Sequence, residues 1–201
     1  MPSPTGARPS QARSRLLATA TRLFYTEGIH AVGIDRIVAE AQVTRATLYR
    51  HFPGKEDLVL AYLDEVDRAM RGQAAGAVAA ALPAAGTVRA LAEAIAQGIR
   101  SPGFRGCAFL NAAAEYPDPA SPVRQAVLAH RQWFLDTVTD LLAQVRRTGA
   151  EPAARHFVML RDGAMAAGCL FDPALVGETF LRGVDGLLQA HAATGRAQEA
   201  G

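Results

Sequence analysis

The sequence predicts an all-α chain of about nine helices. Three observations carry this. Alanine is abundant and β-branched runs are scarce, a composition that favours helix over strand. Apolar residues recur at three- and four-residue spacing in segment after segment. Proline pairs and proline-rich stretches fall at the ends of those segments. At 201 residues, 50% of them hydrophobic, the chain can bury a sizeable core in one or two compact domains.

Residues 1–9, MPSPTGARP, are rich in Pro, Ser and Gly and are expected to form a disordered arm. A helix follows over about 10–27, with Leu16, Ala20, Leu23 and Phe24 on one face and Gly28 as its stop. From Gly33 to Lys55 the chain reads as a short helix, a tight turn, a second short helix and a Pro-Gly stop. Ile34, Ile37 and Val38 stand at helical spacing, and Asp35 lies in a first turn, where the helix dipole favours an acid. Thr44 can cap the second short helix with its hydroxyl, and Pro53-Gly54 cannot continue it. Two such helices bury little alone, so they are expected to ride on the helix over 10–27. Residues 10–54 therefore read as one unit.

Residues 55–201 read as a second unit. Lys55-Glu56-Asp57-Leu58 opens a helix to about Leu82, with Leu58, Tyr62, Leu63, Val66 and Met70 as its apolar set and a stop at Pro83 and Gly86. Thr87–Arg100 carries Val88, Leu91, Ile95 and Ile99 at helical spacing. After the break SPGFRG comes a short apolar helix over Gly106–Glu115, then the loop YPDPASP. Pro122 to about Arg147 is long and has two apolar stripes, Val127/Phe134/Val138/Leu141/Val145 and Leu128/Leu135/Leu142, so neighbours are expected on two sides. Two last helices, about 151–171 and 173–194, are split by Asp172-Pro173.

The second short helix presents unusual chemistry. Thr44, Arg45, Thr47, Tyr49, Arg50 and His51 lie within eight residues, and Lys55 follows. Leu48 and Phe52, four apart, can anchor the inner side. Nearly every outward group donates hydrogen bonds and none is a carboxylate, which suits phosphates and the acceptor-rich edge of guanine in a DNA major groove. Read from composition alone, an ordinary solvated basic face fits equally well. Charge distribution is consistent with a separate basic head: residues 1–55 carry eight Arg or Lys against three acids, net +5, and the remaining 13 bases against 16 acids leave −3.

The string VTRATLYRHFPGKEDL, preceded by ATRLFYTEGIHAVGIDRIVAEA, resembles the DNA-binding domain of the tetracycline-repressor (TetR) family of bacterial transcriptional regulators. Thr47, Leu48, Tyr49, His51, Phe52, Lys55, Glu56 and Leu58 fill its T-L-Y-x-H-F-x-x-K-E-x-L signature, and Ala20, Leu23, Phe24 and Gly28 fill an upstream A-x-x-L-F-x-x-x-G. Two positions depart from the pattern: Gln42 stands where the turn glycine is usual, and Gly33 where a Thr or Ser caps the first short helix. The resemblance implies an N-terminal three-helix helix-turn-helix domain and a C-terminal helical ligand-binding and dimerisation domain. It places Arg45 on a base, Thr44, Thr47, His51 and Lys55 on phosphates, and Tyr49 and Arg50 on either. It implies a homodimer through the helices at about 151–171 and 173–194, where Gly163, Ala164, Ala167, Gly168, Gly183 and Gly186 permit close approach. It also implies a small-molecule effector, apolar or aromatic, among Tyr62, Phe104, Phe109, Asn111, Tyr116, His130, Trp133, Phe134 and Met159.

The expected function is a dimeric repressor released from a palindromic operator in double-stranded DNA by its effector. A helical small-molecule-binding protein without operator binding is the alternative. No HExxH, GxSxG, phosphate-cradling Gly loop or Cys/His cluster is present, so no enzyme, cofactor or metal is expected. Cys107 and Cys169 lack ligand spacing and are expected to be buried reduced thiols. No apolar run approaches the roughly 18 residues of a membrane span and no signal-like segment opens the chain, so a cytoplasmic protein is expected.

Overall fold

A computed structural model describes residues 10–193. Residues 1–9, expected to form a disordered arm, lie outside them. The described residues form nine helices and no strand: α1 Gln11–Glu27, α2 Ile34–Glu40, α3 Arg45–His51, α4 Lys55–Ala79, α5 Ala84–Ile99, α6 Ala108–Glu115, α7 Pro122–Val145, α8 Ala150–Ala167 and α9 Pro173–Ala193. No described helix is long and apolar enough to cross a membrane.

Ser10 caps α1 by accepting from the Arg13 amide, and Gly28, with φ +94°, ends it. Leu16, Ala20 and Leu23 of α1, Ile37 of α2, Leu48 of α3 and Leu58 of α4 are fully buried together with Phe24 and Phe52. Each of these Leu, Ile and Phe side chains stabilises by about 1.5–3 kcal/mol. The surface pairs Arg22–Glu40 and Arg36–Glu27 also link α2 to α1, and Arg36–Glu40 braces α2 itself. Exposed ion pairs contribute little by comparison, so the apolar nucleus holds these four helices together.

The first turns of α4 pack on α1, while its later part runs along α5 and α7. α4 ends near Ala79 rather than Leu82, because Ala81 turns left-handed at φ +51°. Pro83 then caps α5 and Gly86 lies inside that helix, not at a break. Gly106, at φ +83°, delays α6 to Ala108. α7 is central, touching α4, α5, α6 and α8. Its second stripe is covered only at the C-terminal end: Leu142 is buried, Leu135 half-buried and Leu128 exposed.

α8 and α9 pack on each other, with α7 beneath α8 and α5 beneath α9. Phe180, Val184 and Leu187, expected beside an interface, are buried in this chain's own core. Gly168 is an intrachain approach: a Cβ there would sit 2.7 Å from Ile99 Cγ2. Gly163 faces open space. Cys107 is buried, but Cys169 is exposed, because it follows the end of α8.

Candidate nucleic-acid interface and effector cavity

α3 is oriented by its two apolar anchors. With Leu48 and Phe52 buried, Arg45, Tyr49 and Arg50 project outward; Tyr49 is 48% exposed despite its ring. Thr44 Oγ1 accepts from the Thr47 amide at 3.1 Å and lies 3.0 Å from the Thr47 hydroxyl, so the two threonines form the leading edge of the helix as a cap. His51, at the trailing end, is held by Ser10 of the α1 cap, whose Oγ is 3.0 Å from its Nε2. Ser10 Oγ also accepts from the Arg13 amide, so one hydroxyl ties the start of α1 to the end of α3. Arg13 in turn lies over the Phe52 ring at 5.0 Å. Lys55 opens α4 half-buried, and burial lowers its pKa, an effect Glu115 opposes.

Asp35, which sequence reasoning did not place near this surface, touches it, and so does Arg15, which the sequence offered as a further phosphate contact from the start of the first helix. Asp35 accepts from Arg45 Nε at 2.6 Å. Arg15 reaches the Gln42 carbonyl at 3.5 Å. Gln42 has φ +54°, so the turn keeps a left-handed geometry with a non-glycine residue. Gly33 caps α2 in an extended conformation with no side-chain hydrogen bond.

Comparison with known proteins agrees with this arrangement. Residues 16–62 match the model of "Bacterial regulatory proteins, tetR family", and residues 84–155 match "Tetracyclin repressor-like, C-terminal domain". The crystal structure of SCO4454, a TetR-family transcriptional regulator from Streptomyces coelicolor, is 70% identical, covering 91% of this chain and 97% of that one with a TM-score of 0.89. The chain belongs to the TetR family of transcriptional regulators. The HTH-type transcriptional regulator LmrA of Bacillus subtilis is 31% identical over 125 residues, 61% of this chain and 66% of LmrA. A TetR-family regulator from Agrobacterium tumefaciens shares the fold at 20% identity, TM-score 0.80, covering 91% of this chain and 98% of that one. The chain spans 66% and 26% of the length of the first two curated relatives it matches. As in other TetR-family regulators, the head is a DNA-binding helix-turn-helix and the protein is a regulator rather than an enzyme.

Beneath the TetR head lies a cavity of about 620 Å³. α1 walls it with Thr21, Arg22, Tyr25 and Thr26; α4, α5, α7 and α8 supply Tyr62, Met70, Leu91, Ile95, Trp133, Phe134, Arg161 and Met165. The loop before α6 adds Phe104 and Cys107. Of the residues the sequence suggested, Tyr62, Phe104, Trp133 and Phe134 meet here. Phe109 and His130 are not on its wall: they stack on each other, 3.6 Å between centroids and 2° from parallel, inside the core. Nor is exposed Asn111, which bonds the Arg105 carbonyl, or Tyr116, which packs against His30. Met159 is 73% exposed on the far side of α8.

His130 Nδ1 lies 2.6 Å from Asp67 Oδ1. Burial holds the His130 pKa below its usual value, against the pull of Asp67. Burial alone would raise Asp67, but hydrogen bonds from Arg71 and His130 hold its pKa below the ordinary range. Arg71 also stacks on Trp133 at 4.3 Å.

Two polar clamps join the head to the rest of the chain, one at each end of α6. Tyr25 donates its hydroxyl to the Gly106 carbonyl at 3.0 Å and accepts from the Arg105 amide at 2.9 Å. Glu115, the last residue of α6, accepts from the Ile29 amide at 2.8 Å and the His30 amide at 2.5 Å, gripping the turn between α1 and α2. Neither clamp was legible in the sequence, since Tyr25 and Glu115 are 90 positions apart and follow no motif.

Proposed function

We propose that the chain is a homodimeric repressor that leaves a palindromic operator when a small molecule fills the cavity beneath its head. The observation that carries this reading is the shared wall: α1, the helix under the recognition helix α3, is also one side of the cavity. α6 is the transmitting element. The chain before it lines the cavity, and its two ends hold the head through Tyr25 and Glu115. A ligand that displaces α6 shifts the head, and it lowers operator affinity by its differential affinity for the two positions.

Residues 10–54 act as the DNA-binding unit and 55–201 as the effector and dimerisation unit. Arg45 reads a base, preferably guanine; Thr44, Thr47, His51 and Lys55 hold phosphates; Tyr49 and Arg50 lie between them. α8 and α9 form the dimer face. Met159, Phe171 and Leu175 are exposed there, at 73%, 67% and 56%, and line a groove of about 560 Å³. Large apolar side chains gathered on one surface mark an association site, and a copy of the same face is self-complementary under a twofold axis.

Selection of binding sites from random duplex DNA tests the reading. The expected product is two inverted half-sites at a fixed spacing, bound by a particle of dimeric mass in light scattering. Enrichment of no sequence, with a monomeric mass, would overturn it.

A further inference from the structure

We propose that the cavity takes an anionic amphiphile, a carboxylate on an apolar body, with the guanidinium of Arg161 as its anchor. The inference rests on the reading of the cavity as the effector site.

Arg161 lies in the middle of α8 on its inward face, beside Phe157, Ala164 and Met165, and only 3% of it is exposed. Its guanidinium sits between two cavity-lining residues. Nη2 is 3.3 Å from the sulfur of Cys107, and the carbon centre is 5.2 Å from the Phe134 ring. Nη1 donates to Asp162 Oδ1 at 2.9 Å. Nε is buried and has no hydrogen-bond partner among the described residues. A thiol is a weak acceptor, so this cation is underserved.

The single carboxylate beside it is shared. Asp162 also accepts from Arg131 at 2.6 Å. The nearby Asp67 is taken by Arg71 and His130. Neither carboxylate is on the cavity wall: Asp162 serves Arg161 and Arg131, and Asp67 serves Arg71 and His130. The wall itself holds Arg22 and Arg161 and, among the described residues, no Asp or Glu. A buried charge is costly unless it is paired and hydrogen-bonded. An entering carboxylate supplies the missing charge in the planar geometry that a guanidinium matches. The remaining wall, including Met70, Leu91, Ile95 and Trp133, suits an aliphatic or aromatic body. A cationic ligand would meet Arg161 with no acid on the described wall to receive it.

Trp133 is the sole tryptophan and lines the cavity, so its emission reports occupancy. The intact protein is titrated with two matched sets, 4-phenylbutyrate, 4-phenylbutanol and 4-phenylbutylamine, and decanoate, decanol and decylamine. The acid is expected to bind at least tenfold tighter than the alcohol in one set, and the amine more weakly than either. Arg161→Gln is expected to erase the acid preference while leaving the alcohol within threefold, with circular dichroism checking its fold. Should that variant not fold, Arg161→Lys, which keeps the charge, is expected to retain a reduced preference. Equal affinity of acid and alcohol for the unmodified protein overturns the anionic assignment and leaves the effector cavity standing. An acid preference that persists in folded Arg161→Gln overturns the role of Arg161. No response of Trp133 to any of the six overturns the cavity reading and this assignment with it.

Discussion

Arg45, the first residue of the recognition helix, donates through Nε to the carboxylate of Asp35, 2.6 Å away in the first turn of α2. Both side chains are largely exposed, so burial does not lock the pair. Asp35 instead limits where the guanidinium can point and places a negative charge beside the DNA-facing surface. Asp35→Ala is therefore expected to raise affinity for unrelated duplex while narrowing the gap between operator and scrambled sequence severalfold. Fluorescence anisotropy on both duplexes measures that ratio, and an unchanged ratio would show that Asp35 does not orient Arg45.

Arg45 and Lys55 separate base reading from phosphate holding. Arg45→Ala is expected to weaken the selected operator by about five- to 150-fold and to flatten the base preference at one position of each half-site. Lys55→Ala should weaken all duplexes alike and reduce the slope of log affinity against log salt by about one for each subunit. Salt titrations of the two variants on operator and scrambled DNA distinguish these outcomes. The opposite pattern, specificity lost with Lys55 and kept without Arg45, would reverse the assignment.

Gln42 holds the turn between α2 and α3 at φ +54°, where a side chain is strained and glycine is not. Its carbonyl, the group Arg15 approaches, survives substitution. Gln42→Gly is expected to stabilise the protein by about 0.5–1 kcal/mol, with Gln42→Ala giving no gain because the Cβ remains. Chemical denaturation of the three proteins compares them. Equal midpoints for Gln42→Gly and Gln42→Ala would mean that the turn carries no such strain.

Thr44 as the cap of α3 and Leu48 and Phe52 as its anchors were legible from the sequence. Each depends on neighbours within one or two helical turns. The left-handed geometry kept at Gln42 was not legible, because a non-glycine residue there left the shape of the turn open. The cavity was legible only in part. Helical spacing puts Phe109, His130, Trp133 and Phe134 on inward faces, but the turn of each helix against its neighbour decides which meet a void. Phe109 and His130 found each other instead. Arg161 did leave a signal: Phe157, Arg161, Ala164 and Met165 share one face of α8, and a charge inside an apolar stripe is an informative exception. The Tyr25 and Glu115 clamps left none, because they bind backbone groups far away in sequence.

The depressed pKa of His130 predicts a pH window. Above about 6.5, its ordinary value, folded and unfolded chains both hold the imidazole neutral, so its contribution is intact. As pH falls below that value the unfolded chain takes up the proton first, and stability is lost toward the lower folded pKa. Asp67, whose folded pKa is also lowered, adds a loss only at more acidic pH, below 3.8. The melting temperature should therefore fall between pH 7.5 and 5. His130→Gln, which keeps an N–H for Asp67 but does not titrate there, should show a shallower fall. Parallel slopes for the two proteins would remove His130 as the cause.

Glu115 is the most direct test of how the cavity reaches the head. Its carboxylate holds two consecutive amides in the turn that joins α1 to α2, while Tyr25 holds the other end of α6. If α6 transmits the ligand signal, loosening either clamp lets α6 move without carrying the head. Coupling free energies of 1–3 kcal/mol correspond to an affinity ratio, without and with ligand, of about 5- to 150-fold. In Glu115→Ala and in Tyr25→Phe that ratio is expected to fall toward one, while ligand binding, read at Trp133, stays within a few fold. Tyr25→Phe keeps the ring against the cavity and removes only the hydroxyl, so it separates the clamp from the wall. Operator affinity measured with and without the tightest-binding probe gives the ratio directly. A ratio that survives both substitutions would mean that the signal travels through α4, the other helix shared by the head and the cavity.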